Sequence, residues 1–241
     1  MSNKILVSVD DLSTPYDVDG YVIGYQKFTF FANRNFTYEE IKNFPHPEKI
    51  YLLLNTMLHE NHRFDFIKEV DRLAKLNINF IVQDLGMVEI LKKKVPHSHI
   101  IYNPYTLVCN LEEYQTYLEY LDVSIGISSQ LSISQLEKFK GHSFITIYGY
   151  VPIYQSYRQI ISLFDEYHQQ NSKKELLVKE DTRDDLHHII ENEYGTVIFS
   201  SETKNHMANI DKLKDAEYLY INTMFLSKEE ISSVIKEIKN S

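Results

Sequence analysis

Cysteine is nearly missing from these 241 residues, with Cys109 standing alone. One thiol forms no intramolecular disulfide and builds no multi-cysteine metal or iron–sulfur site. That fits a reducing compartment, and a cytoplasmic location is expected. Glycine is sparse as well, at seven, and no Gly-rich phosphate loop occurs. Positive charge is in deficit: 25 Lys and Arg face 34 Asp and Glu, which leaves a net charge of -9. Such a chain is poorly suited to non-specific nucleic-acid binding, which needs clustered positive charge. No apolar run approaches the ~20 residues that cross a bilayer, so no membrane partner is expected. The opening residues, broken by Asp10 and Asp11, do not read as a secretory leader. No Gly-x-Ser-x-Gly nucleophile elbow is present.

What the chain does have is enough apolar residue, 43%, for one sizeable core. Eight short apolar runs recur along it: Ile5–Val9, Tyr21–Gly24, Lys49–Asn55, Asn79–Asp84, His99–Asn103, Val123–Ile127, Phe144–Gly149 and Glu217–Asn222. Continuous apolar runs of this length suit parallel strands covered on both faces. Helical stripes fall between them. Phe66, Val70, Leu73 and Ala74 make one; Leu111, Tyr114, Leu118 and Leu121 a second; Ile231, Val234, Ile235 and Ile238 a third. Ile153, Tyr157, Ile160, Ile161 and Phe164 suggest a fourth, after strand seven. Thr37 with Glu40, and Ser227 with Glu230, have the spacing of capping boxes, and Asn110 with Glu113 is a looser version. Alternating strands and helices predict an α/β fold, a TIM-type (β/α)8 barrel in a single domain over residues 1–241. The stretch after strand one reads as loop, so the barrel is expected to be incomplete on that side. Short strand-like runs with a turn at Asn192–Gly195 predict a small β insertion at about 170–202.

Seven stretches, in order, resemble the collagenase-like peptidase family, peptidase family U32. They are Asp19–Gly24 with Phe28, Leu54–Thr56, Phe80–Gly86, and Tyr102-Asn103 with Thr106 and Asn110. Leu131–Ser134, Gly149 with Gln155–Arg158, and Glu191–Thr196 with Ser200 complete the series. The subgroup it looks most like is the smaller one associated with tRNA uridine hydroxylation. The departures fall where that family carries its chemistry. Ser129-Gln130 replaces an Arg-Glu pair, Tyr148 a His, and Pro152 a cysteine. The resemblance therefore implies a diverged member, an accessory subunit working beside a cysteine-bearing paralogue, with tRNA as an indirect partner.

In such barrels the site lies at the C-terminal ends of the strands. Asp84 and Arg158 are the candidate catalytic pair there, a carboxylate for acid–base work and a planar fork for a carboxylate or phosphate. A plain salt bridge is the competing role. Asn55, Asn103, Tyr105, Tyr148, Gln155 and Asn222 are the candidate substrate-binding residues, and Tyr25 is placed at the same mouth. A small-molecule or peptide hydrolase using these groups is the alternative to an accessory role. His59 and His62 sit three apart but lack a visible third ligand, so neither metal nor cofactor is expected. His97 and His99 lie at the start of strand five, away from the mouth. Cys109 stands before a helix start with no histidine placed to activate it, and is expected to be a small buried thiol.

Overall fold

The structure, a computed structural model, describes residues 3–13 and 16–239. By backbone contacts the chain forms two compact units, Met1–Gly149 with Asn205–Ser241, and Tyr150–Lys204.

In the larger unit eight parallel strands close a ring: β1 Lys4–Ser8, β2 Gly20–Tyr25, β3 Ile50–Leu54, β4 Asn79–Val82, β5 Ile100–Tyr102, β6 Ser124–Gly126, β7 Gly141–Gly149 and β8 Ala216–Ile221. Each pairs with the next, and β1 pairs with both β2 and β8, so no edge remains. The ring is complete at the place where incompleteness was expected. What is missing there is only a helix, because the described residues between β1 and β2 are loop. Helices α1 Tyr38–Lys42, α2 Arg63–Leu73, α3 Leu85–Lys94, α4 Leu111–Leu121 and α5 Ile133–Leu136 follow β2 to β6 in turn. Helix α6 Ile160–His168 belongs to the smaller unit, and α7 Lys228–Lys239 follows β8.

Strand alternation sorts the barrel's apolar residues into two cores. Leu6, Val22, Tyr51, Leu53, Ile81, Ile101, Phe144, Tyr218 and Tyr220 point inward and pack on one another. Their neighbours in sequence, such as Val7, Ile23, Leu52 and Phe80, point outward and pack with Phe66, Val70, Met87 and Tyr114 of the helices. Large rings fill the interior. Tyr51 and Tyr218 meet edge to face at 5.7 Å, and Phe144 stacks on Tyr220 at 5.2 Å. Gly20 makes room for this, since a Cβ there would lie 2.6 Å from the Tyr51 ring.

The smaller unit is a four-stranded antiparallel sheet in the order Glu175–Val178, His187–Asn192, Gly195–Phe199, Pro152–Ser156. The sheet thus reaches back to Pro152, before residue 170. Ile153 and Tyr157 do not belong to a helix with Ile160 and Phe164: residues 152–156 form a strand that pairs with 196–199. The apolar spacing of so short a run fits either period, and pairing with a ready strand decides it. Glu191 ties α6 to the sheet by accepting from the Ile161 and Ser162 amides at 2.6 and 3.1 Å.

Candidate functional site

At the C-terminal ends of the barrel strands, Ser8, Asn103 and Asn222 continue the inward-facing rows of β1, β5 and β8. With Phe31, Asn33, Tyr105, Tyr220 and Met224 they border a cavity of about 20 Å³. That is room for about one water molecule. Among the described residues no Asp, Glu, Lys, Arg, His or Cys lines it. The ionisable groups present are the phenols of Tyr105 and Tyr220, and burial pushes both well above the ordinary tyrosine range. Each stays protonated near neutral pH.

A strap closes this mouth. Residues 28–33 leave the end of β2 and run across the opening. Thr29 Oγ1 donates to the Leu53 carbonyl of β3 and accepts from the Tyr25 amide. The Phe30 amide donates to Asn55 Oδ1 at 2.8 Å. Asn55 Nδ2 donates to the Phe31 carbonyl and to the Tyr105 hydroxyl, both at 3.0 Å. At the far end Asn33 Nδ2 donates to Thr223 Oγ1, 2.8 Å away and just beyond β8. Thr223 is itself locked to β1: its amide donates to Ser8 Oγ at 2.8 Å and its hydroxyl to the Ser8 carbonyl at 2.7 Å. Phe30 and Phe31 are buried, and the Phe31 ring lies 5.4 Å from that of Tyr105. Asn33 Oδ1, buried beside the cavity, has no hydrogen-bond partner among the described residues.

The candidate residues divide accordingly. Asn103, Tyr105 and Asn222 share the cavity, and Asn55 reaches it through Tyr105. Asn103 Oδ1 accepts from the Tyr105 amide at 3.2 Å, which helps hold Tyr105 at its positive φ of 58°. Tyr148 is half-buried and packs against the outer core, because the β7–β8 register slips between Tyr220 and Ile221. Asp84 is the N-cap of α3. Its Oδ1 accepts from the Met87 amide at 3.1 Å and its Oδ2 from the Leu58 amide at 3.2 Å. It borders an outer groove with Glu60, Arg63, Glu89 and Lys93. Gln155 and Arg158 belong to the smaller unit, where Arg158 is exposed. Tyr25 turns outward: its hydroxyl donates to Glu69 Oε2 at 2.7 Å, and burial together with that carboxylate pushes it up to about 12.

His59 and His62 are exposed, and among the described residues no group of three or more His, Cys, Asp or Glu could hold a metal ion. Cys109 is exposed rather than buried, its Sγ donating to the Thr106 carbonyl at 3.3 Å, because the loop before α4 faces solvent. Sequence reasoning missed Ser8, Phe31, Asn33 and Thr223. Ser8 and Thr223 were legible as polar residues ending or following barrel strands. The strap residues carry no such signal, since Phe-Thr-Phe-Phe reads as further core.

The ring of strands, its helices and the polar strand ends define a (β/α)8-barrel protein with its pocket at the usual end of the barrel. A family model described as Peptidase family U32 matches residues 12–240, and the chain belongs to that family. No curated protein and no solved structure matches it. An iron–sulfur cluster held by four thiolates does not fit these residues, since the sequence holds one cysteine, the exposed Cys109.

Proposed function

We propose that this chain is a non-catalytic member of peptidase family U32, acting in the cytoplasm as an accessory subunit beside a cysteine-bearing paralogue in tRNA modification. One observation carries the reading. Among the described residues no charged, imidazole or thiol side chain lines the cavity at the barrel mouth, and a hydrogen-bonded strap crosses it. Peptide hydrolysis needs an activated nucleophile or water, and no group lining the cavity activates either. The tRNA link rests on the resemblance of the seven stretches. An acidic chain suits an indirect role there, with the paralogue making the RNA contacts.

The hydrolase alternative has less support. Asp84 would have to release both backbone amides before acting as a base, and releasing the Met87 amide uncaps α3. Co-expression with a cysteine-bearing paralogue from the same cell tests the accessory role. A stable complex of defined stoichiometry in size-exclusion chromatography with light scattering is expected. Elution of this chain as a lone monomer rejects it.

A further inference from the structure

The N-terminal end of the barrel holds a second concavity, larger than the mouth cavity. It lies between the ends of α3 and α4 and the starts of β5, β6, β7 and β8, with a volume of about 450 Å³. That is the size of a small-molecule pocket. Val95, Ile100 and Leu118 supply apolar wall. The floor is Glu217, whose side chain is 22% exposed. Its Oε2 accepts from Ser124 Oγ at 2.8 Å and lies 3.0 Å from His142 Nδ1, while Lys4 Nζ stands 3.4 Å from Oε1. Burial alone would raise the Glu217 carboxyl, but these partners outweigh it and hold it below the usual glutamate range. It is ionised at neutral pH.

Two carboxylates, Glu217 and Asp122, line the cleft, and α3 and α4 both end there, the last turn of α3 carrying Lys92, Lys93 and Lys94. Of the lysines, Lys92 is held by the Leu121 carbonyl, and Lys4 sits beside the floor without lining the cleft. His142 turns Nδ1 to Glu217, so its Nε2 points away from the floor, and His99 adds a second ring at the rim.

We infer that this cleft is a binding site for a small organic cation, a primary ammonium group carried on an apolar body. The ammonium would sit against Glu217 and Asp122, and the body against the Val95, Ile100 and Leu118 wall.

Three isosteric probes separate the chemistry: benzylamine, benzyl alcohol and benzoate, each titrated into the full chain by calorimetry and followed by histidine-ring NMR shifts. Saturable binding of benzylamine is expected, with shifts at His142 and His99. Affinity should fall about tenfold or more in Glu217→Gln, as expected for loss of a charge-assisted contact. The milder Asp122→Asn, at an exposed position, should weaken binding without affecting the fold, and thermal melts of both variants report folding. Asp184→Asn, in the smaller unit, removes the same charge far along the chain and should change nothing. Benzoate binding as well as benzylamine, no binding of either, or equal weakening by Asp184→Asn would each overturn the assignment. The last outcome would show only general attraction to an acidic protein.

Discussion

Asn55 makes three hydrogen bonds from a residue that is 1% exposed, to the Phe30 amide, the Phe31 carbonyl and the Tyr105 hydroxyl. Asn55→Ala leaves those three groups without that partner in a closed space. A loss of about 2–3 kcal/mol in urea unfolding is expected. Gly126→Ala is expected to be comparably costly, about 1–3 kcal/mol, through overpacking. The added Cβ would lie 2.4 Å from Asn103 Oδ1 and 2.8 Å from Asn103 Cα, so the neighbour cannot simply swing aside. Tyr105→Phe tests the local network more gently, since it removes one hydroxyl and keeps the ring against Phe31. At this scale the sequence was partly legible. Alternation counted from Tyr51 and Leu53 brings Asn55 inward, from Ile101 it brings Asn103, and from Tyr220 it brings Asn222. The same count from Ile81 turns Asp84 outward, and from Val22 it turns Tyr25 outward. Hydrophobicity alone hides that parity. Tyr148 escapes it, because the register slip lies in the pairing and not in the residues.

The elements follow from local chemistry where local chemistry is decisive. Thr37 and Glu40 form the reciprocal capping box at the start of α1 that their spacing implies, and Asn110 caps α4 through the Glu113 amide at 2.9 Å. The eight barrel strands were readable because each is a continuous apolar run, the pattern of a strand covered on both sides. The segment around residues 152–164 was misread because a short mixed apolar run is ambiguous without its partner strand. Glu191 decides how α6 meets its sheet. It accepts from the Ile161 amide and from the amide and hydroxyl of Ser162, and pairs with Lys174 at 3.1 Å. Burial pushes its carboxyl up, but these bonds outweigh burial and hold it below the usual glutamate range. A depressed carboxylate stabilises the folded state fully above the unfolded-state value of about 4.3, and that stability is lost as pH falls through the lower folded value. Amide exchange at Ile161 and Ser162 should therefore accelerate below about pH 4.3, after correction for the intrinsic pH dependence. In Glu191→Gln it should already be faster at neutral pH. Unchanged protection in that variant would show that α6 is held by packing alone.

On the scale of the whole chain, the barrel closes fully while the cavity at its mouth is lined by amides, hydroxyls and buried tyrosines. The strap from Phe28 to Asn33 was illegible because its meaning is tertiary. Its aromatic residues look like any core segment until Asn55 on one side and Thr223 on the other are seen to tie it down. No helix among the described residues is long and apolar enough to cross a membrane. The expected consequence is a protein whose barrel mouth performs no acid–base chemistry on peptides. The most direct test is the rate of peptide-bond hydrolysis by the purified chain, on gelatin and on fluorogenic peptides, from pH 5 to 9. The rate should equal the enzyme-free blank throughout, and should be the same for Asn103→Ala and Asp84→Asn. Turnover above the blank that rises and falls with pH, and that either substitution abolishes, would contradict the account.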